Sequence, residues 1–371
     1  MLNLRKGMPD TALLLALGGL LFGGLMAFLS ASLGLFAREG EVVSRIVTNH
    51  LGFGFGLGLV AFSIGALVPY KTWRTLAPYL YGASLILTAL IFVPALGMEH
   101  GGSTRWLDLG FISLQPSEPL KIGLVLMLAA YFTAYRDKVD TLFYGLGGFL
   151  AICAPAVILL LLQPDHGTLG VLALTAGAMF ITAGASKKHV LILIVSGFML
   201  LTVTFFVHPY VRARVMTFIN PSHDPGGASY QIQQSLLALG SGELAGRGFG
   251  QGIQKFQYLP EPIGDSIFAV IGEEFGFIGA SAVILLFALF LTRGYSIAAR
   301  APDYFGGLLA VGITTYIVVQ AFLNIAAMLG TTISPYLFFW QADEEVEEEV
   351  QQHRISEIGA GAPRINARFI R

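Results

Sequence analysis

Charge is what this sequence has least of. Asp, Glu, Lys and Arg make up only 12% of its 371 residues, about half the share of roughly 25% usual in soluble domains. Together with a hydrophobic content of 55%, this excludes a soluble enzyme and points to an integral membrane protein. Cysteine is nearly absent. Cys153 stands alone, so no disulfide can form within the chain and no Cys/His cluster can be built. The seven histidines are scattered and form no HExxH pair, which argues against a zinc enzyme. No Walker loop and no dinucleotide fingerprint occurs, so no nucleotide is expected. A net charge of -1 carries no signature of a nucleic-acid partner, and none is expected.

Long apolar runs are what the sequence has instead. Stretches near the ~20 residues needed to cross a bilayer lie at 11–36, 50–69, 76–97, 119–135, 142–162, 167–184, 189–208, 266–292 and 304–330. They show no period-2 alternation, so the expectation is an all-α polytopic bundle of about nine transmembrane helices. The first run is too long for a signal-peptide core and is read as a retained span. Glycine is abundant, with 45 residues, many of them inside spans, where small side chains let helices approach closely.

Basic residues set the expected orientation. Arg5 and Lys6 place the N-terminus in the cytoplasm. Alternate loops then carry Lys71 and Arg74, Arg136 and Lys138, Lys187 and Lys188, and Arg293 and Arg300, against only Arg38, Arg45 and Arg105 in the short loops opposite. Three segments fall on the outer face: 98–118, the turn "QPDHGT" at 163–168, and a long loop at 209–265 between the seventh and eighth spans. That loop reads as structured. In "YQIQQSLLAL", Ile232, Leu236 and Leu239 share a helical face, and "GSGELAGRGFGQG" follows. Residues 1–330 read as one membrane domain. The acidic tail 331–371, with "DEEVEEEV", reads as disordered and, after nine spans, as external.

Several polar residues sit where a membrane protein must justify them. Asp265, just before "SIFAVIG", suits a helix N-cap and equally a catalytic carboxylate at the membrane surface. Glu261 precedes it, but Pro262 and Gly264 interrupt any continuous helix. Glu273 lies about 12 Å deeper at 1.5 Å per residue. With Glu274 it reads as helix pairing or cavity lining. In "QPSEPLKIG", Glu118 and Lys121 share a face, as a terminal ion pair or as the wall of a polar cavity offering Lys121 to an anionic headgroup. Asp165 and His166 suit turn chemistry. Arg105, beside Trp106, and Arg212, beside Arg214, suit phosphate or simple snorkelling to lipid headgroups. Gln234, on the amphipathic stretch, is grouped with the candidate substrate contacts.

The segments "RWLDLGFISLQPSE", "LLQPDHGT", "YQIQQSLLALGSGELAGRGFGQGIQKFQYLPEP", "DSIFAVIGEEFGFIG" and "NIAAMLG" resemble the FtsW/RodA/SpoVE proteins, the SEDS family, in order from about residue 10 to Gly330. "QKFQYLPEP" and "GSTRWLDLG" are more similar to the division-type FtsW branch than to RodA. The resemblance implies a peptidoglycan glycosyltransferase in the bacterial cytoplasmic membrane. Such an enzyme polymerises lipid II at the outer face and works with a class B penicillin-binding protein. Asp265 falls on the family's essential aspartate, as general base or as a ligand of Mg²⁺ or Mn²⁺. Glu118 and Lys121 fall on its polar pair, and Asp165 on the aspartate of its "QPDxGT" turn. The sequence departs from the family at Ile263 and Gly264, where His-Thr is usual, and at Pro119 and Leu120, where Leu-Ala is usual. The family's tenth span is replaced here by "TTISPYLFFW" and the acidic tail. Two other functions suit the same features: a lipid II flippase, whose site would lie near the midplane on broken helices, and an inactive scaffold that binds the penicillin-binding protein.

Overall fold

The computed structural model describes residues 9–48, 52, 54–93, 96–100, 103–108, 113–207, 212, 216 and 230–326. The basic pair at Arg5 and Lys6, Arg214, and the whole tail with its altered last segment lie outside the described residues.

A bilayer offers no water to the backbone, so each apolar run must satisfy its own peptide groups, and each does so as a helix. In chain order these are α1 (Thr11–Thr48), α2 (Gly56–Leu67), α3 (Tyr70–Ala89, ending in a 3₁₀ turn at Leu90–Phe92), α4 (Ser117–Ala134), α5 (Gly148–Leu162, entered through a π turn at Leu142–Gly147), α6 (His166–Thr182) and α7 (Lys187–Val207). After the long loop begin α8 (Tyr230–Ser241), the single turn α9 (Gln254–Gln257) and α10 (Ile267–Ala299). The last described helix, α11, is Tyr304–Ala326. Every expected span is helical, and seven of these helices are long and apolar enough to cross a membrane. The other two, α2 with 12 residues and α6 with 17, fall short of that length. The described chain is a multi-span helical membrane protein.

Contacts between loops confirm the expected alternation. At one end of the bundle Arg293 pairs with Asp10, Tyr70 donates to Asp303, Tyr304 donates to the carbonyl of Ala183, and Arg136 lies over the Tyr304 ring. At the other end Arg105 donates to the Pro164 carbonyl, Thr88 to that of Pro116, and Gln163 to that of Thr88. No alternation in the sequence points to strands here, yet the described residues between 97 and 114 form a small antiparallel sheet of β1 (Gly97–His100), β2 (Ser103–Asp108) and β3 (Ser113–Leu114). Gly97 and Leu114 both pair with Leu107, whose side chain is buried while neighbouring Trp106 is exposed.

Two apolar cores hold the bundle. The larger joins α3 to α6 with the start of α11, through Leu124, Phe132, Phe149, Phe180 and Phe305. The smaller gathers Ala31 of α1, Ala238 of α8, Leu259, Phe268 and Ala269 of α10, and Ile325 of α11. The candidate site stands on this second core.

Candidate functional site

The stretch "YLPEPIGD" alternates between anchoring and exposure. Leu259 and Pro262 are buried, and Ile263 packs against the smaller core. Glu261, Gly264 and Asp265 face outward. Glu261 adopts a φ of 44°, a conformation few non-glycine residues take. Its carbonyl accepts from the amides of Gly264 at 3.1 Å and Ser266 at 3.2 Å. The turn thus closes through its own backbone, and Asp265 does not cap α10. The N-cap is Ser266, whose side chain makes no cap bond and instead accepts from Gln231 of α8 at 3.3 Å. Among the described residues no hydrogen bond or ion pair holds the Asp265 carboxylate. The carboxylate of Glu261 turns back toward Gly264: a methyl group placed on that glycine would sit 3.9 Å from Glu261 Oε2.

Immediately after this turn, Ile267 and Phe268 open an apolar groove of about 620 Å³ between α1, α10 and α11. Gly19, Gly23 and Met26 form one wall. Tyr316, Gln320 and Asn324 supply its few polar groups.

The helix that carries the site is broken. Gly276 has φ 64° and ψ -163°, a region essentially restricted to glycine. The break releases backbone groups that a membrane cannot satisfy, and the glycine-rich loop takes them up. The amides of Arg247 and Gly248 donate to the carbonyls of Glu273 and Glu274, at 3.0 and 2.9 Å. Glu243 and Leu244 accept from the amides of Phe277 and Ile278, at 2.9 and 3.2 Å. Close approach requires glycine on both sides: a Cβ on Gly276 would lie 2.4 Å from the Gly246 amide nitrogen.

Both carboxylates near the break are fully engaged. Glu273 Oε1 accepts from the amides of Ile253 and Gln254. Glu274 pairs with Lys255 Nζ and accepts from Ser30 Oγ of α1 at 2.6 Å, while Lys255 also donates to Ser30 at 2.7 Å. Lys255 and Glu274 are both fully buried.

The match to known proteins settles what this scaffold is. Residues 11–335 fit the model of the FtsW/RodA/SpoVE "Cell cycle protein" family. The chain belongs to this family. Stage V sporulation protein E of Bacillus subtilis is 36% identical over 326 residues, covering 88% of this chain and 89% of that protein. A Thioalkalivibrio sulfidiphilus protein named "Probable peptidoglycan glycosyltransferase FtsW" is 35% identical over 324 residues, covering 86% and 81%. Among solved structures, one from a peptidoglycan synthase complex superposes with a TM-score of 0.65 at 27% identity, covering 84% of this chain and 87% of its own. RodA of Thermus thermophilus does so with a TM-score of 0.56 at 28% identity, covering 84% of each.

Within this SEDS fold the other candidates occupy separate places. Lys121 is buried and donates to Glu118 at 2.8 Å and to Gln320 at 2.7 Å. It also lies 5.1 Å over the Tyr316 ring. It is therefore not open to a headgroup: it sits behind the groove wall that Tyr316 and Gln320 form. Asp165 is buried and caps α6 through the Thr168 amide at 3.2 Å, and among the described residues its second oxygen has no hydrogen-bond partner. Arg105 donates to the Pro164 carbonyl at 2.7 Å. Arg212 is exposed, and its chain neighbours lie outside the described residues. Gln234 is half-buried, and Gln231 of the same helix donates to Ser266 at the site turn. The buried face of α8 is also shifted from the expected one. Ser235 and Ala238 are buried, because small side chains let α8 settle closely on α10, where Leu239 reaches Gly272.

Reading the sequence missed Lys255 and Gly276. The available signals were the lone lysine of "QKFQYL" and the paired glycines of "GEEFG". Among the described residues no group of three or more His, Cys, Asp or Glu could hold a metal by itself.

Proposed function

We propose that this SEDS protein is a peptidoglycan glycosyltransferase that polymerises lipid II, with Asp265 as its general base. The N-terminus would face the cytoplasm, and the Asp265 turn would meet water on the outer side of the cytoplasmic membrane, where lipid II presents its sugars. One observation carries the reading: buried residues fix the Asp265 turn from both sides, yet among the described residues no hydrogen bond or ion pair holds its carboxylate. A carboxylate placed with such care and left unengaged is available to a substrate.

The reaction joins the 4-hydroxyl of one lipid-linked sugar to the anomeric carbon of another. The bond from that carbon to the pyrophosphate oxygen breaks, the new glycosidic bond forms, and the hydroxyl proton passes to Asp265. The departing pyrophosphate needs positive charge. The exposed carboxylate of Glu261 would hold Mg²⁺ or Mn²⁺ together with substrate oxygens and water, leaving Asp265 free to take the proton. When bound there, the ion supplies that charge. The groove that starts at Ile267 gives a lipid-borne substrate an apolar approach to the turn. A class B penicillin-binding protein is the expected partner.

A flippase accounts for fewer of these features. Transporters use the freed backbone of broken helices to bind cargo. Here the freed groups at Gly276 and the carboxylates of Glu273 and Glu274 are all taken by the protein's own loop.

Detergent abolishes sidedness, so the test is polymerisation of lipid II by the purified, detergent-solubilised protein with its partner. Wild type makes long glycan strands, and Asp265→Asn lowers the rate by about 100-fold or more. An Asp265→Asn protein that polymerises at the wild-type rate ends this reading.

A further inference from the structure

We propose that the buried Lys255–Glu274–Ser30 cluster is a positioning lock that aims the Asp265 turn, an inference that rests on Asp265 being the base. Lys255 precedes the turn and Glu274 follows it, so their ion pair closes the segment 255–274 into a ring whose outer tip is Glu261–Asp265. Ser30 bonds both partners and fastens the ring to α1. Glu273 fixes the same place a second time, by accepting from the amides that open α9. Between the lock and the tip, Pro260 and Pro262 have fixed φ, Leu259 and Pro262 are buried, and Ile263 packs on the core. Such a connection transmits a shift at Lys255 to Asp265 instead of absorbing it.

Energetics support a role in geometry. Desolvating a lysine and a glutamate costs several kcal/mol each, and apolar residues of similar volume often serve stability as well or better. What an apolar pair lacks is direction. Nζ of Lys255 must meet Glu274 and Ser30 together, and that condition admits one register of the loop on the broken helix. A displacement of about 1 Å at a catalytic group can cost about 100-fold in rate.

The experiment compares wild type, Lys255→Met/Glu274→Leu, Ser30→Ala and Asp265→Asn in the detergent assay, with melting temperature measured alongside. The double variant is expected to fold with a melting temperature near that of wild type. Its kcat should fall at least about tenfold, with KM for lipid II within about twofold. Ser30→Ala, which removes one hydroxyl from the cluster, should lower kcat by about threefold at unchanged KM. A nitroxide at Glu261→Cys, in a Cys153→Ala background, should be immobile in the parent and mobile once Lys255 is replaced. This reading does not depend on turnover, and if the double variant fails to fold, the same label in Ser30→Ala, which keeps the ion pair, decides the matter: it should gain mobility in a protein that still melts cooperatively. A folded double variant with wild-type kcat, a change confined to KM, or an unaltered label overturns the lock. Full activity in Asp265→Asn would instead remove the base assignment beneath it.

Discussion

Lys121 and Glu118 show how much the surroundings of each partner decide the worth of an ion pair. The lysine side chain is 2% exposed and the glutamate 45%. Removing the lysine lets Glu118 turn to water, so Lys121→Met should cost about 1 kcal/mol, the scale of one hydrogen bond. Removing the glutamate leaves a buried cation with, among the described residues, Gln320 and the Tyr316 ring, so Glu118→Ala should cost about 3 kcal/mol. Thermal unfolding of the two variants in one detergent tests this order, and equal losses would contradict it. The residue scale is also where the sequence was least legible. Asp265 and Ser266 are both capping types, so composition could not decide which one starts α10. Glu274 and Lys255 belong to a contact that crosses a loop and reaches back to Ser30. No local period announces such a contact.

At the scale of elements, the broken α10 and the loop that covers it act as one unit. Gly276→Ala puts a Cβ into a backbone region reserved for glycine and against Leu244 and Gly246, so it should cost at least about 3 kcal/mol. Gly177 of α6, with open space around its Cα, is the matched control: Gly177→Ala should lie within about 1 kcal/mol of wild type. Melting both variants separates a conformational demand from a general intolerance of alanine. The spans themselves were readable, because lipid forces any apolar run of sufficient length into a helix. The break was not. Glycine is so frequent in these helices that one more, at 276, gives no sign of its φ. The small sheet at 97–114 was hidden for a related reason, since its strands are too short to show alternation.

For the whole molecule, the loop contacts sort into two ends, and the end that holds Asp10 is tied by carboxylates. The hydrogen bond from the Arg293 guanidinium holds the Asp10 carboxyl below its usual range. The Tyr70 hydroxyl and then the Gly306 amide do the same for Asp303. Because both folded values are depressed, their stabilisation is fully present above the ordinary carboxylate value of about 3.9 and is lost as pH falls through the folded values. Asp10→Asn should therefore melt below wild type at neutral pH, and the gap should close only in strong acid. A gap that closes between pH 7 and 5 would contradict the assignment. At this scale the sequence was most informative. The pattern of basic residues foretold which loops meet, since it follows from a membrane constraint that acts on the chain as a whole.

The attachment of α1 has a consequence for biogenesis. This first helix packs against α9 and α10, and among the described residues its buried Ser30 bonds to residues made more than 200 positions later. During synthesis this attachment must therefore wait while most of the protein emerges from the ribosome. A nascent chain stalled before Glu274 would offer membrane quality-control proteases a loose N-terminal helix, and the arrival of the broken helix is what would end that exposure.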